Sequence, residues 1–213
     1  MSGWTAACSS GTTSELATFD GAHCLKIDVP ASPKVCSRFQ DLGTFLDDRC
    51  VLTVRMYIDR VGSVVANANN YVGILFTGDD GSNRWTFFAK FSTDGLFIDD
   101  GDAFNEVGTD VVAEDEWAEW TFDMNVADRD TATVDVYKDG SLVEAGVDMS
   151  APQEAGEDDG FITLRARQAS GVGHEATVYF DYVSIGTGCS DEGLTTTTTT
   201  TSTTTTTTTT SPP

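Results

Sequence analysis

The chain has 213 residues, with 12 Lys and Arg against 34 Asp and Glu, for a net charge of −22. A nucleic-acid duplex or an anionic bilayer would repel it, so neither is an expected partner. No stretch reaches the roughly 18 apolar residues of a membrane span, so membrane insertion is not expected.

The first ten residues, MSGWTAACSS, have no basic start and no apolar run, and no signal peptide is legible in them. The chain reads as a piece of a longer secreted protein. Short alternating runs follow, separated by turn pairs such as Asp-Gly and Thr-Gly. Val51–Ile58 places Leu52, Val54, Met56 and Ile58 on one side and Thr53, Arg55 and Tyr57 on the other. Tyr71–Phe76 is a second strand. Arg84–Phe91 is a third, with Trp85, Phe87, Ala89 and Phe91 inward and Arg84, Phe88 and Lys90 outward. Trp120, Phe122 and Met124 share a side of the next strand. A hairpin then turns at Asp139-Gly140, with Val134 and Val136 inward. In FITLRAR, Ile162, Leu164 and Ala166 oppose Thr163, Arg165 and Arg167, and ATVYFDYVSIG closes the domain. About ten to fourteen strands with one wet face each predict an all-β fold, a two-sheet antiparallel β-sandwich of jelly-roll type.

From Leu194 the chain runs through fifteen threonines and two serines to Pro212 and Pro213. Nothing there can be buried, so the run cannot offset the entropy of ordering itself. Residues 191–213 are expected to be a disordered Thr/Ser/Pro linker. It would tether the binding module, residues 1–190, to a covalently linked neighbouring domain.

There are five cysteines, Cys8, Cys24, Cys36, Cys50 and Cys189, none in a C-x-x-C pair, and two histidines. That argues against zinc and for disulfides in a secreted, extracellular chain. The expected pairs are Cys8 with Cys189, stapling the domain ends, and Cys36 with Cys50, flanking a strand-turn unit. Cys24 is then left over.

The stretch EWAEWTFDMNVADRDTATVDVYKDGSLVEAG resembles the middle of a laminin G-like or concanavalin A-like jelly roll. A Trp opens a strand there, apolar residues alternate, and the next hairpin carries Val134, Val136, Tyr137, Asp139, Gly140, Leu142 and Val143 in the family's pattern. The closing VYFDYVSIG resembles the last strand of many carbohydrate-binding modules. The resemblance implies core roles for Trp117 and Trp120. It also implies that Asp181 helps hold a structural calcium with oxygens from the N-terminal segment, of which Asp20 is the nearest candidate. Alternation supports Asp181 independently: if Val183 and Ile185 face the core, so does Asp181, and a buried carboxylate must be paired or bind metal. The acidic loops Thr77–Asn83 and Asp99–Glu106 are rival cation sites, the second read as a solvated turn.

Enzymes of this fold carry motifs that the chain lacks. Neither Glu114–Glu119 nor Glu157–Asp159 has the Glu-x-Asp-x-x-Glu spacing of the glucanases. Leu164–Arg167 has two arginines without the intervening Glu of the alginate-lyase strand. His23 and His174 are read as loop or edge residues. What remains is a set of outward bases, Arg55, Arg84, Lys90, Arg165 and Arg167. If their strands share a sheet, they form a stripe beside Tyr57 and Phe88, with Tyr71 at the start of its strand. Arginine forks suit carboxylate or sulfate, and aromatic faces suit sugar rings. The expected function is therefore non-catalytic polysaccharide binding. An adhesion module binding protein and a divergent polysaccharide lyase or glycoside hydrolase are the alternatives.

Overall fold

A computed structural model describes residues 4–30, 33–43, 49–60, 70–79, 84–92, 95–99, 104–108, 111–125, 131–149, 160–168 and 175–186. The threonine run, Cys189, His174 and the tips of both acidic loops lie outside them. Fourteen strands follow in order: β1 (Thr5–Cys8), β2 (Thr13–Phe19), β3 (Ala22–Val29), β4 (Lys34–Gly43), β5 (Arg49–Arg60), β6 (Asn70–Asp79) and β7 (Arg84–Ser92). Then come β8 (Gly95–Asp99), β9 (Phe104–Val107), β10 (Trp117–Asn125), β11 (Thr133–Lys138), β12 (Ser141–Asp148), β13 (Gly160–Gln168) and β14 (Ala176–Ile185).

They form two seven-stranded sheets. The first has the order β1-β4-β13-β6-β7-β8-β9, and the second β12-β11-β10-β5-β14-β3-β2. Every recorded pairing is antiparallel. The expected two-sheet sandwich is the observed fold. Among the described residues no helix is long and apolar enough to cross a membrane.

The core follows from the two-residue period of a strand. Ile74, Phe76, Phe87, Phe91 and Leu164 point inward from the first sheet, and Leu52, Val54, Trp120, Phe122 and Phe180 from the second, all buried. Contacts across the interior join the layers: Phe87 and Phe122 have centroids 4.9 Å apart, and Phe91 and Trp120 5.2 Å. The predicted hairpin is present, with Asp139 and Gly140 at φ 50° and 76°. Positive φ at both central residues matches the turn twist to the strand twist, which is why Asp-Gly is favoured there. Asp20 and Gly21 make the same kind of turn between β2 and β3, at φ 50° and 78°.

Both expected cysteine pairings are replaced. Cys8 bonds Cys36, since β1 lies against β4 with these two residues in direct register and their Cα atoms 4.0 Å apart. Cys50 is also disulfide-bonded, and Cys24 is a free, buried thiol. Sequence spacing could not show that β1 folds back onto β4.

Candidate functional site

The five outward bases do not share a sheet. Arg55 and Tyr57 stand on β5, in the second sheet, whereas Tyr71, Lys90, Arg165 and Arg167 stand on β6, β7 and β13 in the first. Arg84 begins β7, paired with Asp79, and its side chain lies outside the described part of the structure. Two outer faces with different chemistry result.

On the first face, hydrogen-bonded register sets Ser37, Arg165, Gly73, Lys90 and Phe97 in one row across five strands. Arg167 and Tyr71 pair in the next row on one side, and Leu75, Phe88 and Asp99 align on the other. Gly73 leaves room for its neighbours: a Cβ there would lie 2.7 Å from Phe88 Cε2 and 2.9 Å from the Tyr71 ring. A glycine inside a strand marks such a close approach. The Tyr71 and Phe88 rings meet edge to face at 5.2 Å, and with Phe97 they make an apolar cluster separate from the core.

The cations border this cluster. Lys90 Nζ lies 4.5 Å from the Phe88 centroid and 5.4 Å from that of Tyr71, and is ion-paired with Asp99. Arg165 lies 5.9 Å from the Phe88 centroid, and its Nε donates to Ser37 Oγ at 3.1 Å. Arg167 is exposed. Burial holds the Lys90 ammonium below the usual lysine range; its bond to Asp99 opposes that, while Arg167 and Arg165 push the same way. Three positive groups thus crowd one aromatic patch, with a buried lysine behind two more accessible arginines. Tyr71, the open case in the sequence, is 1% exposed and sits at the base of the patch.

On the second face, Tyr57 aligns with Trp117 on β10 and Tyr179 on β14. Phe19, from the end of β2, stacks on Tyr179 at 4.0 Å and meets Tyr57 edge to face at 4.7 Å. Trp117 is therefore not a core residue as expected: it is half-buried on the outer face, 5.6 Å from Tyr57, with the Arg55 guanidinium 4.9 Å over its ring. Trp120 keeps its core place. Residues 117 and 120 are an odd number apart on one strand and must face opposite ways, a signal already present in the sequence.

Asp181 is buried, but not by simple alternation. A register shift between Phe180 and Tyr182 leaves it as an extra residue in the ladder, and it meets Arg55 Nη1 at 2.7 Å. Phe180, not Asp181, continues the inward set. Asp20 is a hairpin-turn residue. Among the described residues no group of three or more His, Cys, Asp or Glu is placed to hold a metal ion. Arg55 thus matches the charge of the buried Asp181 carboxylate. Of the carboxylates considered for catalysis, Glu116 pairs with Lys138 and Glu119 accepts from the Tyr182 hydroxyl. His23 is exposed, its Nδ1 3.2 Å from Thr18 Oγ1.

No protein-family model matches the chain, and no curated protein sequence matches it. Solved structures do match in shape. The chain resembles an endo-β-1,4-glucuronan lyase from the fungus Trichoderma reesei, with TM-score 0.55 and 14% identity over 87% of this chain and 91% of that one. It also resembles a carbohydrate esterase from the Shiga toxin-encoding bacteriophage phi24B, with TM-score 0.56 and 19% identity over 86% and 89%. A sialidase matches with TM-score 0.60 and 12% identity over 89% of this chain, which spans only 17% of the sialidase. These likenesses establish the sandwich fold, and a fold by itself does not fix an activity.

Proposed function

We propose that this domain is a non-catalytic module that binds an anionic polysaccharide across the outer face of its first sheet, as part of a larger secreted protein. The observation that carries this reading is the meeting of Lys90, Arg165 and Arg167 around the Tyr71–Phe88–Phe97 patch on one sheet face. Arg165 and Arg167 would take carboxylate or sulfate groups, and the half-buried Phe88 and Phe97 rings, backed by buried Tyr71, would pack against sugar faces. The solved structures resembling the chain are named as acting on carbohydrates, which favours a sugar ligand over a protein one. The Cys8–Cys36 disulfide and the bonded Cys50 favour an oxidising, extracellular setting. A divergent lyase is the second reading, favoured by a Tyr, a Lys and two Arg on one face.

Affinity electrophoresis of the full chain against uronate-rich, sulfated and neutral polysaccharides tests the proposal, with calcium and with chelator. Binding to acidic polymers is expected, weakening with salt. Arg165→Ala, losing a charge-assisted hydrogen bond worth about 1.5–3 kcal/mol, should weaken it roughly tenfold to a hundredfold. Acidic polymers that do not bind, or binding indifferent to both Arg165→Ala and Arg167→Ala, overturn the site. Appearance of new unsaturated chain ends replaces the binding module with the lyase.

A further inference from the structure

We propose that the outer face of the second sheet is a second glycan site, of opposite selectivity, that takes a neutral, hydroxyl-rich polysaccharide chain. It is independent of the first-face reading and rests on other residues. Register lays this face out in three rows across β10, β5 and β14. The first is Trp117, Tyr57 and Tyr179. The second is Glu119, Arg55 and Tyr182, and the third is Thr121, Thr53 and Ser184. Strands lie about 4.8 Å apart and rise about 3.3 Å per residue, so the rows cover roughly 10 Å by 13 Å. That area accommodates a short run of pyranose rings.

The chemistry of the rows fits sugar better than other ligands. Pyranose rings have flat C–H faces that pack on aromatic rings, and their hydroxyls donate to carboxylates. The first row, with Phe19 beside it, supplies the aromatic floor. Glu119 and Asp115 supply acceptors at its border, already receiving the hydroxyls of Tyr182 and Tyr57. Arg55, 40% exposed along its side chain, is fixed between Asp181 and the Trp117 ring and offers a donor. Burial raises the pKa values of Tyr57, Tyr179 and Tyr182, so all three phenols stay neutral donors over the ordinary pH range.

Charge selects the class of chain. With Arg55 matched by buried Asp181, the carboxylates Asp20, Asp59, Asp115 and Glu119 outnumber Lys26 around these rings, an acid excess within a protein of net charge −22. An acidic polymer would be repelled from this face while being attracted to the other, so the ligand is uncharged. The hydroxyl pair Thr53–Thr121, 3.1 Å apart, adds donors and acceptors that a purely apolar partner would leave buried and unsatisfied.

The test uses the full chain, with xylan, mannan, soluble β-glucan and an acidic polymer as probes, read by affinity electrophoresis and calorimetry. At least one neutral polymer is expected to bind, and raising salt to about 0.5 M should leave that binding unchanged because no charge pair is made. Trp117→Ala should weaken it about tenfold or more, Trp117→Phe should retain most of it, and Arg165→Ala should not alter it. Should Trp117→Ala fail to fold by circular dichroism, Glu119→Gln, which keeps shape and removes a charged acceptor, serves instead with a loss of several-fold. No binding to any neutral polymer overturns the proposal. So does neutral binding that Arg165→Ala removes and Trp117→Ala spares. Self-association in sedimentation that depends on Trp117, without glycan binding, would assign the face to a second copy and overturn it equally. Loss of acidic-polymer binding alone would refute the first-face reading and leave this one standing.

Discussion

Replacing Cys8 by Ser and Cys36 by Ala removes the covalent tie between β1 and its neighbour β4. The two cysteines are 28 residues apart in sequence. Closing a loop of that length lowers the entropy of the unfolded chain by an amount equivalent to about 3.5 kcal/mol at 25 °C. Strand β1 can replace little of that, because all four of its residues are exposed and it adds scant apolar burial. For a domain of this size each kcal/mol moves the midpoint by about 2–4 °C, so Tm should fall by roughly 7–14 °C. Thermal and urea unfolding, followed by circular dichroism without reductant so that the bond at Cys50 persists, measures the loss. Ser37 follows Cys36 and orients Arg165, so affinity for acidic polymer should fall as well. A stability loss below about 1 kcal/mol would refute the cross-link argument and mean that the ladder to β4 alone holds β1.

Two further outcomes follow from the outer faces. Gly73→Ala gains about 0.5–1 kcal/mol of backbone entropy but must displace the Phe88 and Tyr71 rings, at a cost of about 1–3 kcal/mol. A net destabilisation of about 1 kcal/mol and weaker acidic-polymer binding are expected by thermal melts and affinity electrophoresis; a more stable variant with unchanged binding would show that the rings have room to move. Tyr182 is pushed up to about 12 from 10.0, by burial first and then by its bond to Glu119. The folded state therefore holds this proton more tightly, so the stability it contributes is complete below pH 10 and is lost between about pH 10 and 12. Lys90, lowered by burial, acts in the opposite sense as pH rises toward its ordinary value, and only a difference between variants isolates the tyrosine. The stability gap between the native chain and Tyr182→Phe should shrink across that window in urea unfolding. A constant gap would mean the phenol is not held by Glu119.

Much of the fold was legible because strand alternation is local. The inward sets Leu52, Val54 and Met56, Phe87 and Phe91, and Ile162 and Leu164 could be read one strand at a time, as could the Asp139-Gly140 turn. Outward residues were legible too, since Phe88, Lys90, Arg165 and Arg167 are simply the other half of the same alternation. Trp117 was misread because a family pattern outweighed its odd spacing from Trp120. Asp181 is buried as read, but a one-residue bulge rather than simple alternation puts it there, and no side-chain type marks that bulge.

The sequence by itself determined that this chain is a β-sandwich and which side chains leave each strand on its wet side. Only the tertiary structure decided which strands lie side by side. Pairing of β13 with both β4 and β6, and of β5 with both β10 and β14, joins segments up to more than a hundred residues apart. That choice separates Arg55 and Tyr57 from Lys90, Arg165 and Arg167, bonds Cys8 to Cys36, and gathers Trp117, Tyr57 and Tyr179 into one row. The physical reason is that periodicity fixes the face of a residue within its own strand, whereas neighbours across a sheet are selected by packing of the whole core.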